Sequence, residues 1–403
     1  MVRGTSAYRR VSLAFFLAGF ASFSLLHCVQ PLLPVFALAF HVGPAEASLA
    51  LSLSTGLLAV AIFCAVPLAE SRGRRGLMFG SMALAATLNL ACALPLGWHG
   101  LLVARALLGL ALGGVPAVAM AYLAEELEPA GLGPAMGLYV AGTAFGGMTG
   151  RVGTAWLAEA FGWQTAMAIG GAVGLGAALG FAALLPPPQR QPPRVPLHLR
   201  LHLAAWAGHL KTPALASLFA IAFLLMGTFA TLYNYAGFRL LAPPYSLTQG
   251  QAGLVFTLYL FGIAASSAAG ALADRLGRRR MLPAGLVLTA LGVLVTLRAP
   301  LSAVVFGIAL LTVGFFTAHA VASGWVGRLA RSNTGHATSL YLLAYYLGAS
   351  VAGSAGGFFW ARFGWPGVAG FVLALLAAAL GLAVGVKREG ARRADVALAV
   401  PVD

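Results

Sequence analysis

Residues 270–279 read GALADRLGRR, and residues 66–75 read VPLAESRGRR. The two phrases lie 204 residues apart and are dense in charge, whereas the chain around them is apolar. Of 403 residues, 60% are hydrophobic and 9% charged, with a mean hydropathy of +0.89. An ordinary soluble domain carries roughly a quarter charged residues, and no soluble core hides this much apolar surface. Nearly uncharged runs of about 18 residues or more read as membrane spans. The chain is therefore expected to be an all-α polytopic membrane protein.

Twelve spans are expected, near 11–40, 46–69, 76–94, 99–122, 132–158, 163–185, 213–241, 250–272, 280–298, 301–325, 335–361 and 365–386. This divides the chain into an N-terminal six-helix half (1–185), a central linker (186–212), a C-terminal six-helix half (213–386) and a tail (387–403). The linker, within LPPPQRQPPRVPLHLRLHLAAWAGHLKTP, is the one long polar connection, and its prolines break helix at the start. Residues 195–210 read as a short helix on the membrane surface. His198, His202 and His209 there are expected on its solvated face rather than on a metal.

The formal charge is +15, but the basic residues sit in small clusters between apolar runs. With no basic face and no stacking aromatics, a nucleic-acid partner is not expected. Twenty of the 25 Lys and Arg lie in loops and tails on the side of the N-terminus; the other five are Arg105, Arg151, Arg239, Arg298 and Arg362. Such an excess marks the cytoplasmic side, so both termini and the linker are expected in the cytoplasm. Trp98, Trp156, Trp163, Trp360 and Trp365 fall at the opposite ends of spans, where interfacial aromatics belong. Arg9 and Arg10 precede an apolar run too long for a secretory leader and without a convincing cleavage site, so that run is the first span. Cys28, Cys64 and Cys92, odd in number and inside spans, read as small apolar fillers.

The repeated phrase falls between the second and third span of each half, and it has company. PAVAMAYL from Pro116 echoes HAVASGWV from His319, at an offset of 203. LYVAGTAFGGMTGRVGTAWLAEAFGW from Leu138 echoes LYLLAYYLGASVAGSAGGFFWARFGW from Leu340, at an offset of 202. Three ordered echoes indicate a duplicated six-span unit. Its two copies share one orientation and are related by a pseudo-two-fold axis along the membrane normal.

These residues resemble the major facilitator superfamily of secondary transporters, whose loop between spans two and three carries G-x-L-A-D-R-x-G-R-R. Gly270, Leu272, Ala273, Asp274, Arg275, Gly277, Arg278 and Arg279 meet that pattern. In the first copy Leu68, Gly73, Arg74 and Arg75 hold, while Val66, Glu70 and Ser71 depart. The resemblance covers the whole chain and is nearest to bacterial drug:proton antiporters and arabinose-efflux-like exporters. It implies the facilitator fold, alternating access in the cell inner membrane, a small-molecule substrate within the lipid bilayer and action as a monomer. It also implies no cofactor beyond a proton gradient. Gly73 and Gly277 supply permissive backbone to a tight turn. A carboxylate at a span end accepts from a helix N-terminus or an arginine. The resemblance implies that Asp274, and Glu70 in the first copy, latch the cytoplasmic side. On the plain reading Arg74, Arg75, Arg278 and Arg279 fix topology.

Within the spans, Arg105 and Gly109 resemble the family's R-x-x-x-G motif, and the resemblance implies proton coupling for the arginine. The alternative is an arginine that snorkels to the interface. Gly109 and Gly113 form a stripe on which a neighbouring helix can approach. Gly142, Gly146 and Gly147 resemble the antiporter motif G-P-x-x-G-G, with Thr143 in place of the proline, and form a packing face. Arg151, just beyond, either lines a cavity or makes a structural pair. His27, Gln30, Pro31 and Pro34 share one stripe, and Gln30 corresponds to Asn234 at offset 204, which suggests two walls of a central cavity. Thr312, His319 and Ser323 share a face, and Tyr139 matches Tyr341. For His27 and His319, ligand or proton duty stands beside simple hydrogen bonding in the bundle.

No Asp or Glu falls in mid-span: Glu46, Glu70, Glu159 and Asp274 lie near ends, as do Glu125, Glu126 and Glu128. A proton would travel by a histidine, an end-placed Glu or not at all, and the buried positive charge leans against a strongly cationic substrate. A phosphate-binding loop and a nucleophile–base pair are both missing, so neither an ATP-driven pump nor an enzyme is expected. The expected function is export of a small organic solute by proton antiport. A facilitator or a proton-symport uptake permease is the alternative.

Overall fold

The computed structural model describes the backbone of residues 1–72, 74–116, 118–186, 199–330 and 332–398. The side chains of 65–72, 199 and 386–398 lie outside the described residues, and so do Gly73, the side chain of Glu70, most of the predicted linker and His198. In chain order the helices are α1 Ser6–His27, α2 Leu33–Ala39, α3 Pro44–Ala47, α4 Leu49–Arg72, α5 Arg74–Ala91, α6 Gly97–Leu112, α7 Ala119–Glu126 and α8 Pro129–Phe161. They continue with α9 Trp163–Leu184, α10 Leu199–Leu210, α11 Pro213–Leu241, α12 Gln249–Gly253, α13 Tyr259–Leu276, α14 Arg278–Val295, α15 Leu301–Leu329 and α16 Thr334–Leu398. No strand occurs among the described residues.

Local chemistry sets the breaks. Thr5 caps α1 by accepting from the Tyr8 N–H. α1 stops at His27 because Pro31 and Pro34 bring no N–H to continue it; Gln30–Leu32 form a 3-10 turn before α2. Gly277, at φ +85°, ends α13 and opens α14, which is the turn expected of the second charged phrase. Gly364, at φ 60° and ψ −150°, divides α16 into two helical segments. Each of the twelve predicted intervals contains helix, but 99–122 is divided between α6 and α7 and 11–40 between α1 and α2. By length and hydropathy, seven stretches among the described residues suffice to cross a membrane, and Thr334–Gly385 contains the Gly364 break. α5, α6, α8 and α14 are outside that set: arginines open α5 and α14, α6 is short, and glycines dilute α8.

The chain forms two compact units, Met1–Leu197 with Tyr233–Thr257, and His198–Leu232 with Leu258–Asp403. In the first, α1 lies along α8 because Gly142, Gly146 and Gly150 meet the backbone at Phe16, Phe20 and Ser24. α6 fits α4 in the same way, Gly109 against Ser54 and Gly113 against Ala61. Phe15 sits in the core among Tyr122, Tyr139 and Phe181, at 5.4, 6.3 and 6.0 Å between ring centres. In the second unit, α14 and α15 interlock through Gly285, Gly292, Gly307 and Gly314. Gly348 of α16 meets the Phe223 carbonyl of α11, and Thr231 donates to Ala352 O at 2.8 Å.

One expectation is corrected. α10 is helical as predicted, but its histidines do not face solvent. His202 is half-buried, with Nδ1 2.9 Å from His336 Nε2, and His209 is buried 3.2 Å from Asn333 O. The start of α16 packs on that face, with Trp206 donating to Ser339 at 3.1 Å. No group of three metal-ligating side chains occurs among the described residues.

Candidate functional site

The first unit holds two buried arginines. Arg105, on α6, is 0% exposed. Its Nε donates to Ala50 O at 3.1 Å, its Nη1 to Leu25 O at 3.0 Å and to Asn89 Oδ1 at 3.4 Å, and its Nη2 to Leu26 O at 2.6 Å. Leu25 and Leu26 lie in the last turn of α1, whose carbonyls lack helical donors four residues on. The break after His27 leaves these carbonyls open, and Arg105 donates to both, with Cys28 Sγ a second donor to Leu25 O at 3.3 Å. The side chain reaches inward rather than toward an interface, so snorkelling is not its arrangement.

Arg151, on α8, is 3% exposed. Its Nε donates to Gln30 Oε1 at 2.5 Å and its Nη1 to Gly147 O at 2.7 Å, while its guanidinium lies 5.4 Å over the Phe256 ring. Gln30 in turn donates to Asn234 Oδ1 at 2.7 Å. Three predicted site residues from distant parts of the chain therefore form one hydrogen-bonded row. His27, one turn before Gln30, is buried against Phe23, with Nδ1 3.1 Å from Phe23 O. Close by, Gln249 donates to Pro31 O at 2.6 Å, and the Gly250 N–H donates to Glu159 at 2.5 Å. Tyr139 is not in this group; it belongs to the core around Phe15.

In the second unit, Tyr341 Oη and His319 Nδ1 are 3.0 Å apart. The imidazole stacks on Phe315 at 5.9 Å and 4°, and lies 4.7 Å from Tyr345. Phe315 stacks on Phe229 at 3.9 Å, and Tyr259 and Phe316 meet Phe229 edge-on. Thr312 and Ser323 bond back to their own helix, at Ile308 O and Ala320 O. This set offers ring faces to an amphipathic solute and one imidazole to a proton.

At the charged ends, Asp274 accepts from Arg278 at 2.9 Å and from Arg328 at 3.0 Å, which ties the ends of α13 and α15 to the start of α14. In the first unit Arg74 pairs with Glu125, and Arg75 donates to Ala182 O at 3.0 Å. Arg275 and Arg279 are exposed.

Several contributors escape a sequence reading. Asn89 holds Met167 O at 2.8 Å and accepts from Cys28 and Arg105, and it is detectable as a lone amide in an apolar run. The Phe-Phe-x-x-His spacing of 315–319 is a weaker signal. Phe256 and Gln249 have none, because their roles depend on how the chain after α11 returns to α1 and α8.

A family model described as Major Facilitator Superfamily matches residues 11–242 and 224–398. The MFS-type transporter YybF of Bacillus subtilis (strain 168) is 44% identical over 380 residues, covering 94% of both chains. The inner membrane transport protein YnfM of Escherichia coli (strain K12) is 41% identical over 384 residues, covering 94% of this chain and 90% of its own. Among solved structures, a bacterial homologue of the human lysosomal transporter Spinster matches with a TM-score of 0.77 at 16% identity, over 96% of this chain and 98% of that one. A POT family transporter matches with a TM-score of 0.78 at 13% identity, over 94% and 96%. At such identities the structural likeness speaks for the fold alone.

Proposed function

The chain belongs to the major facilitator superfamily, and from that premise we propose that it exports a small organic solute by proton antiport and alternating access. A multi-pass membrane transporter of this family binds small molecules within the membrane and is not an enzyme. The finer reading places it in the cell inner membrane as a monomer with both termini cytoplasmic. The observation that carries proton coupling is the pairing of half-buried His319 with buried Tyr341 among aromatic rings, in helices without a mid-span carboxylate. An imidazole has two ring nitrogens, so one can bind and release a proton while the other stays beside the Tyr341 hydroxyl. Gln30, Arg151, Asn234 and His27 supply the polar contacts of the first unit. Arg105, whose donors go to three backbone carbonyls and to Asn89, supports the frame that carries them.

The test uses everted membrane vesicles holding an acid-inside gradient, to which candidate solutes are added. Solute-triggered collapse of the gradient is expected, lost in His319→Ala and weakened in Tyr341→Phe. A facilitator is the second reading, favoured by the absence of Asp and Glu from the middle of the apolar helices. Solute movement without any collapse selects it and rejects antiport.

A further inference from the structure

We propose that Arg151 is the recognition point for an organic anion carrying a planar carboxylate, and that the Gln30 amide stands in for that carboxylate in this structure. The inference rests on the transporter reading and gives it a substrate class.

Arg151 lies ten residues before the end of α8, about 15 Å along the helix. A charge at such depth is expensive and is retained where it serves a solute, an ion or a structural pair. The two buried arginines of the first unit separate these uses. Arg105 holds the carbonyls of Leu25, Leu26 and Ala50, fixed points of the backbone that no solute can displace. Arg151 instead gives its Nε to a side chain, Gln30, which sits where α1 has broken and turns on its own rotatable bonds.

A guanidinium edge presents parallel N–H groups that match the two oxygens of a carboxylate. Gln30 Oε1, at 2.5 Å from Nε, sits where one of those oxygens would bind. The amide has the shape of a carboxylate without its charge: only the guanidinium is ionised in the bond to Gln30, whereas a carboxylate adds the opposite charge and a second acceptor oxygen for a bidentate pair. An incoming carboxylate therefore outcompetes Gln30 for that edge. Phe256, 5.4 Å below the guanidinium, keeps its plane in place during the exchange.

Displacement has a consequence. Gln30 is also the donor to Asn234 at 2.7 Å, so its rotation breaks the link between the α1 break and α11. Gln249 holds Pro31 O on the same break. Occupancy at Arg151 is thereby passed to residues 233–257, which pack with the first unit in this structure.

The test measures thermal unfolding and affinity of the full chain, purified in detergent. The probes are acetate, hexanoate and benzoate, each set against its primary amide. At least one carboxylate is expected to bind about tenfold tighter than its amide. Arg151→Gln is expected to abolish that preference. Gln30→Ala is expected to bind the carboxylate more tightly, because nothing has to be displaced. Gln30→Glu is expected to ignore all three anions, since the introduced carboxylate occupies the edge. The two Gln30 variants keep the test decisive if Arg151→Gln does not fold.

The proposal is overturned if no carboxylate is preferred over its amide, if Gln30→Ala binds no tighter, or if Gln30→Glu binds as the natural protein does. Flux assays in proteoliposomes separate the two levels. Movement of neutral amides without carboxylate preference sinks the anion site and leaves the transporter reading. Carboxylate binding with no flux of any probe does the reverse.

Discussion

Arg105 shows how one side chain can repair what two others break. Pro31 and Pro34 end α1, the end of a helix leaves carbonyls without donors, and the guanidinium reaches Leu25 O and Leu26 O from another helix. Replacement by leucine removes these donors inside apolar surroundings, and a buried acceptor without a partner costs about 1–3 kcal/mol. Arg105→Leu is therefore expected to lower stability by about 3 kcal/mol or more. Arg105→Lys is expected to recover only part of this, because one ammonium cannot span carbonyls on both α1 and α4. Heating the detergent-purified variants while following tryptophan fluorescence measures both. A leucine variant that melts with the natural protein would remove the structural role and return Arg105 to proton coupling, as its motif implies.

At the scale of helices, small residues decide which elements touch. Gly146 meets Phe20 O, and Gly348, 202 residues on, meets Phe223 O, so the sequence echo is also a packing echo. An added methyl at either position overlaps backbone, and overpacking typically costs about 1–3 kcal/mol. Gly146→Ala and Gly348→Ala are both expected to lower the melting midpoint. Gly153→Ala, on α8 where an added methyl meets nothing within 4 Å, is expected to be neutral or to stabilise by about 0.5–1 kcal/mol. Equal melting of Gly146→Ala and Gly153→Ala would rule out close packing as the reason for the stripe. This part of the fold was legible because spacing along one helix suffices to define a stripe. The ligands of Arg105 were not, because they are backbone carbonyls of other helices and carry no residue signature. The α10 histidines were misjudged for a related reason: amphipathicity shows that a helix has two faces, not which neighbour covers them. The offset that links Gln30 to Asn234 says nothing of their direct bond, which depends on residues 233–257 packing with the first unit.

Across the whole chain, the duplicated units keep their charged turns at matching places while reversing one sign. Arg74 corresponds to Arg278 at offset 204, but Glu125 corresponds to Arg328 at offset 203, and the pairing changes with it. The first unit joins Arg74 to Glu125, whereas the second collects Arg278 and Arg328 on Asp274. A structural ion pair needs only opposite signs, so this reversal is compatible with packing alone. What does not reverse is the net excess: twenty Lys and Arg cluster at one set of loop ends in both halves. Retention of that bias through duplication fits selection for orientation, since Lys and Arg in short loops hold a span's end in the cytoplasm. The orientation is open to a direct test. Cys64 is exposed and is first replaced by alanine; Cys28 and Cys92 are buried and remain. A single cysteine is then placed at Lys211 or at Arg362, both exposed positions. A membrane-impermeant maleimide added to intact cells is expected to label Arg362→Cys at once, and Lys211→Cys only after the membrane is permeabilised. The opposite pattern would place the termini outside and show that the arginine clusters serve ion pairing rather than topology. Labelling of both from outside would break the alternation of spans between positions 211 and 362.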